Sequence, residues 1–453
     1  MPNHPDESGL KRDPEKDSLS PEEQEEIALF EAIFKSCKLR KDPVELIMRN
    51  TRNNLLKSVG NFELAHHPFP RNEGERIETA RIIRKAAIDL FFRGLVSEYR
   101  IDKLRPIGIE FIRLDQSQKI ISDLREGKPL LIRGIHGIGK TAMFLKCMMP
   151  GTLKYEDLLI DLRTIFSLPL EKIDLDEFKI FFKRALWREI SRHIAQRESE
   201  EEKEEERIKS SNMEPLEYLE KYLEDHDSSV SLVVDEAIAL RNSPECFEYL
   251  LQLKDSLNLK RIHLAIILHY SHKLECQHQE LIGEYETHWI RSITLEETTR
   301  IIREPLKGKP IKLTDEAVYK IHEITGGRPQ EIHRLCQALF FPDPENKPNK
   351  LVYEEEDIEK PSPHNKIITD IPELSVPAKE LAKAYQMLSL EQQEFMQRLS
   401  RDGAVSVSEI ADEIVEPLVN LTLVIKEDGR CRINGGLLQK VVEAIVTGKI
   451  PLQ

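Results

Sequence analysis

The sequence predicts an α/β fold built on a parallel sheet, and three observations predict it. Between residues 105 and 295 the short apolar runs PLLIRG, DLLIDLR, SVSLVVDE and HLAIILH alternate with helical stretches. That order is the signature of strand–helix crossovers. The runs are almost continuously apolar, as expected of strands covered on both faces. Finally, the first run leads directly into the glycine-rich stretch GIHGIGKT and then into a helix.

The elements follow in order. Residues 1–20 are polar, charged and proline-containing, and read as a disordered tail. Ser20-Pro21-Glu22-Glu23 opens a helix: Ser20 caps it, Pro21 fits its first turn, and Glu23 completes a capping box. Further helices are expected at 43–58 and 74–98, giving a helical module over 21–104. The α/β core spans 105–295, with a helix at 115–126, strands at 129–134, 157–163, 229–236 and 263–269, and a short fifth strand within HWIRSITL (288–295). A long helical region is expected from 173 to 226. Its middle, RESEEEKEEER, is a charge run that reads as a solvated helix extension or loop. Three helices without strands follow at 295–304, 314–324 and 329–340, the first opened by the capping box Thr294-x-x-Glu297. A polar, proline-bearing linker runs to about 377. From 378, an amphipathic helix, a helix–turn–helix and two strands around Asp428-Gly429 form a last small unit.

Composition narrows the functions available. The 453 residues carry 66 Lys+Arg against 80 Asp+Glu, a net charge of −14, which does not attract nucleic acid or anionic lipid by its overall field. No run approaches the ~18 apolar residues of a membrane span, and the N-terminus lacks the apolar core of a secretory signal. The 6 cysteines are scattered without a CxxC, which fits a reducing cytoplasmic setting.

Gly134-Ile135-His136-Gly137-Ile138-Gly139-Lys140-Thr141, followed by Ala142, satisfies GxxxxGK[ST]. A loop that wraps phosphate oxygens with backbone N–H groups needs glycine's freedom. The following helix points its positive end at the anion. Lys140 supplies charge to the β- and γ-phosphates, and Thr141 a hydroxyl to Mg²⁺. Such a P-loop predicts an acidic residue at the end of a neighbouring strand. Asp235 is placed to hold the metal and Glu236 to activate a water. A strand beside the Asp235 strand often ends in a polar residue that senses the γ-phosphate, here His269 or Ser271. The cluster His269, His272, Cys276 and His278 does not have a zinc-site spacing. In Ile324-Thr-Gly-Gly-Arg328-Pro329, glycine ends one helix and Pro329 starts the next. The turn itself, or Arg328, is a candidate second contact to the phosphates.

Together GIHGIGKT, the apolar run ending in Asp-Glu, the polar-ended strand, LEETTRIIREPL and ITGGRPQEIHRLCQAL resemble the AAA+-related STAND-type P-loop ATPases over about 105–345. The resemblance implies ATP and Mg²⁺ as cofactors. It matches Gly134, Gly139, Lys140 and Thr141 to the Walker A residues, Asp235 and Glu236 to Walker B, and Gly327-x-Pro329 to a lid motif. It further implies a P-loop NTPase core, a helical lid over 296–345, a C-terminal winged helix, and nucleotide-dependent homo-oligomerisation. Arg291, Arg300 and Arg303 are arginine-finger candidates only by location. The helix that would read DNA, EPLVNLTLV, has no basic residue, and the wing offers only Lys426, Arg430 and Arg432. A protein-contact role for the winged helix or the N-terminal module is therefore favoured over DNA binding. The runner-up reading is a DNA-directed AAA+ ATPase.

Overall fold

The apolar runs form one five-stranded parallel sheet. The computed structural model describes residues 20–36, 73–98, 114–147, 158–165, 172–198, 213–340, 350–359 and 376–450. The expected tail and the helix at 43–58 lie outside these residues. Strands β1 (Leu130–Gly134), β2 (Leu158–Asp161), β3 (Val230–Asp235), β4 (Ile262–His269) and β5 (Glu286–Trp289) stand in the order β2-β3-β4-β1-β5. This is a parallel α/β sheet, the fold class that the sequence predicts. The fifth strand starts earlier than the sequence suggests. Glu286–Trp289 pairs with Leu130–Arg133 as a half-buried edge, so it lacks the apolar run that marks the inner strands.

Alternation along the strands sorts their side chains onto two faces. Leu130, Ile132, Val233, Ala265 and Ile267 belong to one apolar cluster, which includes the helices Leu114–Arg125 and Lys140–Cys147 and the C-terminal segment. Leu131, Leu232, Val234, Leu264 and Ile266 belong to the other, with the helices Leu175–Glu198, Pro215–Asp225 and Pro244–Ser256. β1 and β3 are buried along their whole length.

By its contacts the chain divides into two compact units. The larger holds the sheet, residues 319–334 and the segment from 366 onward. There the helices Val376–Gln386, Leu390–Asp402, Asp412–Asn420 and Gly436–Val446 surround a small antiparallel sheet of β8 (Val405–Ser406), β10 (Arg430–Ile433) and β9 (Val424–Glu427). The hairpin around Asp428-Gly429 forms as expected, both residues at positive φ. The expected helix–turn–helix is only partly realised. Its first helix is a single 3₁₀ turn, Val407–Glu409, bonded back to the hairpin through Val407 N–H and the Gly429 carbonyl.

The smaller unit holds the helices Pro21–Ser36 and Glu73–Glu98 together with residues 302–318 and 335–365. Ser20 and Glu23 form the expected reciprocal cap: Ser20 N–H donates to Glu23 Oε2 at 3.0 Å, and Glu23 N–H to Ser20 Oγ at 3.3 Å. Leu29, Phe30, Phe92 and Leu95 are buried in this unit. β6 (Lys312–Leu313) and β7 (Val352–Tyr353) pair in parallel, a connection that the all-helical expectation for this region misses. Two-residue strands leave no periodicity to read.

Candidate functional site

β1 ends at Gly134, the loop 135–139 turns, and the helix Lys140–Cys147 begins. Gly134, Gly137 and Gly139 have φ of 150°, 75° and 90°. Gly137 and Gly139 thus occupy the left-handed region that glycine enters without strain. A Cβ at Gly137 would lie 2.1 Å from Gln330 Oε1. The two isoleucines inside the motif anchor the loop. Ile135 and Ile138 are buried in the apolar cluster beneath the sheet, each contributing about 1.5–3 kcal/mol by burial. The loop's N–H groups are thereby held on a fixed floor. Lys140 is 4% exposed, and its Nζ donates to the Ile135 carbonyl at 2.8 Å, so the ammonium lies within the loop's own curve.

β4 stands between β1 and β3, so the acidic strand is not the direct neighbour of the P-loop strand. The gap is bridged from the helix. Thr141 Oγ1 donates to Asp235 Oδ2 at 2.8 Å, and Asp235 Oδ1 accepts the Glu236 N–H at 2.8 Å. Glu236 leaves the strand in a left-handed conformation (φ 62°, ψ 36°), which costs about 1–2 kcal/mol for a residue with a Cβ. Such strain persists where surrounding contacts over-determine it, as they do at functional sites. The Glu236 carboxylate is held from two sides. Arg163, just past β2, approaches Oε1 at 3.0 Å, and His269 Nε2 approaches Oε2 at 3.4 Å.

Register explains the convergence. Asp161 pairs with Asp235, and Gly134 with His269, so the carboxyl ends of four strands meet at one edge. The His136 and His269 rings lie 5.2 Å apart. Burial pushes His136 down to about 4; Glu380 opposes the shift, while Lys140 and Arg163 add to it. A cavity of about 240 Å³ opens here, lined among others by His136, Arg163, Glu236, His269, Lys383 and Met387.

The remaining sequence candidates separate. His269 lines the cavity and Ser271 does not; Ser271 is buried at the start of the helix His272–Gln277, its carbonyl accepting the Glu275 N–H. Gly326 and Gly327 take positive φ and Pro329 opens the next helix, as the turn chemistry requires. Arg328 turns away from the loop: it is 1% exposed, donates from Nε to Glu331 Oε1 at 2.6 Å, and from Nη1 to the Asn434 carbonyl at 2.8 Å. The residue of this turn that meets the P-loop is Gln330. Its N–H reaches the Gly137 carbonyl at 3.3 Å, and its side chain covers Gly137. Sequence reasoning missed Gln330 and Arg163, because nothing in their local pattern distinguishes them from surface polar residues.

Nor do the four residues of the zinc-like run converge. His272 and Cys276 face each other along one helix, His278 packs against Phe247 at 5.1 Å, and His269 turns to Glu236. Arg291 donates to Asn420 Oδ1 at 2.8 Å, Arg300 pairs with Glu296 and Arg303 with Asp315.

No protein-family model matches the chain, and no curated protein matches it. Among solved structures it is similar to a Walker-type ATPase of Pyrococcus abyssi (15% identity, 74% of this chain and 96% of that one, TM-score 0.48). It is also similar to Cdc6p of Pyrobaculum aerophilum (14% identity, 78% and 98%, TM-score 0.40). A third is the RuvB Holliday junction branch migration motor of Thermotoga maritima (14% identity, 78% and 100%, TM-score 0.37). Among the described residues no helix is long and apolar enough to cross a membrane.

Proposed function

We propose that this chain is an ATP-binding and ATP-hydrolysing P-loop protein of the AAA+-related STAND type, working as a slow regulatory switch. The observation that carries the proposal is the 2.8 Å contact between Thr141 and Asp235 across an intervening strand, with Glu236 immediately beside it. A hydroxyl at a helix N-terminus and a carboxylate at a strand end, both hard oxygen donors, suit Mg²⁺. A Cβ would meet Ile138 and the Ile290 carbonyl at 3.0 Å at Gly134 and Gln330 Oε1 at 2.1 Å at Gly137, Gly139 takes φ 90°, and the N-terminus of the following helix favours an anion.

In this reading the backbone from Gly134 to Ala142 holds the phosphates. Lys140 would exchange the Ile135 carbonyl for a phosphate oxygen, and Thr141 and Asp235 would hold Mg²⁺. The metal, when bound, neutralises charge on the β- and γ-phosphates. Glu236 accepts the proton of the attacking water. Arg163 and His269 fix its carboxylate, so little reorientation is needed at the moment of reaction.

The switch rests on a second set of contacts. Gln330 touches Gly137, two residues from Arg328 in the same turn. Arg328 and Asn434 clamp that turn to the C-terminal segment: Asn434 Nδ2 donates to the carbonyls of Gly326 at 3.1 Å and Thr422 at 2.9 Å. Occupancy of the P-loop is thereby linked to the docking of a winged-helix-like unit, with residues 296–345 as the lid. Moving such a two-state element from 1:99 to 99:1 needs about 5.5 kcal/mol of differential affinity. We assign the released surface to self-assembly or to a protein partner, in a cytoplasmic setting. The acidic helix Asp412–Asn420 supports a protein contact over DNA, as does the pairing of Lys426 with Glu416 at 2.5 Å and Arg432 with Glu427 at 3.0 Å. The test measures ATP binding, turnover and solution mass with a slowly hydrolysed ATP analogue. Assembly that depends on the analogue supports the switch. Absence of ATP binding by the wild type refutes the site.

A further inference from the structure

We propose that His136, Glu236 and His269 form a binding site for a transition-metal ion, Zn²⁺ foremost, separate from the Mg²⁺ position. Each residue offers one ligand atom, and the three atoms lie within 4.8 Å of one another. A tetrahedral zinc with ligands at about 2.0–2.1 Å places its donor atoms about 3.4 Å apart. His269 Nε2 and Glu236 Oε2 already stand at 3.4 Å. His136 completes the set: its ligand atom lies within 4.8 Å of the other two, and its ring centroid is 5.2 Å from that of His269.

The donor chemistry sets the class of ion. Two imidazoles and one carboxylate suit Zn²⁺ and its neighbours Co²⁺, Ni²⁺ and Cu²⁺. The hard oxygen pair Thr141–Asp235 suits Mg²⁺. The outer shell is also present. Arg163 grips the other oxygen of Glu236 at 3.0 Å, fixing the carboxylate's orientation. The three ligands come from the P-loop and from the ends of two paired parallel strands, so the site is built on firm elements. The adjoining cavity of about 240 Å³ leaves a fourth position open for water or a phosphate oxygen.

A consequence, which rests on the ATPase reading, is that an ion here takes Glu236 as ligand and withdraws it as proton acceptor. Zn²⁺ then arrests turnover while Mg²⁺ sustains it.

The test uses the full chain without nucleotide. Zn²⁺ is titrated against a chromophoric chelator, and Co²⁺ is followed by the visible absorption of four-coordinate cobalt. The expected result is one equivalent of Zn²⁺ with Kd below about 10 µM, weakened at least ~100-fold by His136→Gln or by His269→Asn, and ~10–100-fold by Arg163→Ala. The double variant His272→Ala/Cys276→Ser keeps the wild-type affinity. The site is overturned if the wild type binds no Zn²⁺ in that range, if the two histidine variants bind as tightly as wild type, or if affinity is lost at His272 and Cys276 instead. Because the cobalt spectrum is read on the wild type, a misfolded variant does not shield the proposal. Turnover is assayed separately. Zn²⁺ that binds without slowing ATP hydrolysis overturns the arrest. A wild type that binds Zn²⁺ yet never hydrolyses ATP leaves the metal site standing and refutes the ATPase reading.

Discussion

Replacing Gly435 by alanine tests the clamp between the Gly326–Arg328 turn and the C-terminal segment. Gly435 has φ 96° and ψ 137°, a conformation costing about 1–3 kcal/mol for a residue with a Cβ. The added carbon would lie 2.7 Å from the Gly326 backbone nitrogen and 3.0 Å from Arg328 Nη2, so the hairpin end must move away. That movement breaks the 2.8 Å bond from Arg328 to the Asn434 carbonyl and the 3.1 Å bond from Asn434 to the Gly326 carbonyl. A buried bond from a charged donor is worth about 1.5–3 kcal/mol and a neutral one about 1 kcal/mol. Together with the backbone cost these losses come to about 3.5–7 kcal/mol. Gly429→Ala is the matched control. Gly429 also has positive φ, 73°, but nothing lies within 4 Å of its added carbon, so its cost is the backbone cost alone, about 1–2 kcal/mol. Guanidinium denaturation gives the two stabilities, and amide hydrogen exchange at residues 324–331 and 434–438 locates the loss. Equal destabilisation by the two substitutions, with unchanged exchange in both segments, would refute the clamp.

Four further outcomes are expected. Lys140→Ala removes the single ammonium inside the P-loop and weakens ATP binding by ~100-fold or more, read by fluorescent-nucleotide titration. Glu236→Gln binds ATP but turns it over ~10²–10⁴-fold more slowly and accumulates any assembled form, read by steady-state hydrolysis and solution mass. Gly137→Ala forces a Cβ into both the left-handed region and the Gln330 side chain; it weakens ATP binding at least ~10-fold and costs the fold at least the ~1–2 kcal/mol of the backbone term, read by nucleotide titration and denaturation. Acid destabilises the fold through histidines held neutral. Burial lowers His263, His278 and His322 below the ordinary imidazole value, so below about pH 6.5 the unfolded chain takes up protons that the folded chain refuses. Each such group contributes a slope of at most about 1.4 kcal/mol per pH unit until its folded pKa is passed. A denaturation midpoint that stays level or rises from pH 7 to 5 would contradict this.

What could be read in the sequence was whatever is fixed locally. The inner strands announce themselves as apolar runs, and the capping pairs Ser20–Glu23 and Thr294–Glu297 as short-range patterns; both pairs form. So do the residues of GIHGIGKT, because glycine's backbone freedom is a property of the residue itself. Strand order was not readable, since β4's insertion between β1 and β3 is decided by crossovers of some tens of residues. Arg328 shows the same limit at one residue. Its place in the turn suggested a phosphate contact, but a buried carbonyl 106 positions away claims its guanidinium. The edge strand Glu286–Trp289 failed to show because one face meets water and its alternation is only four residues long. The Ser389–Gln392 cap, with both reciprocal bonds present, was legible and overlooked.

The two isoleucines under the glycine loop have a mechanical consequence. Ile135 and Ile138 share one uninterrupted oily mass with Ala378, Leu381, Tyr385 and Val441, far along the chain. The floor beneath the glycine loop is therefore partly made by the last seventy-odd residues. A chain cut short before residue 376 would lose that floor along with its tail: the glycine loop would slacken and the sheet's bare face would draw copies together into aggregates.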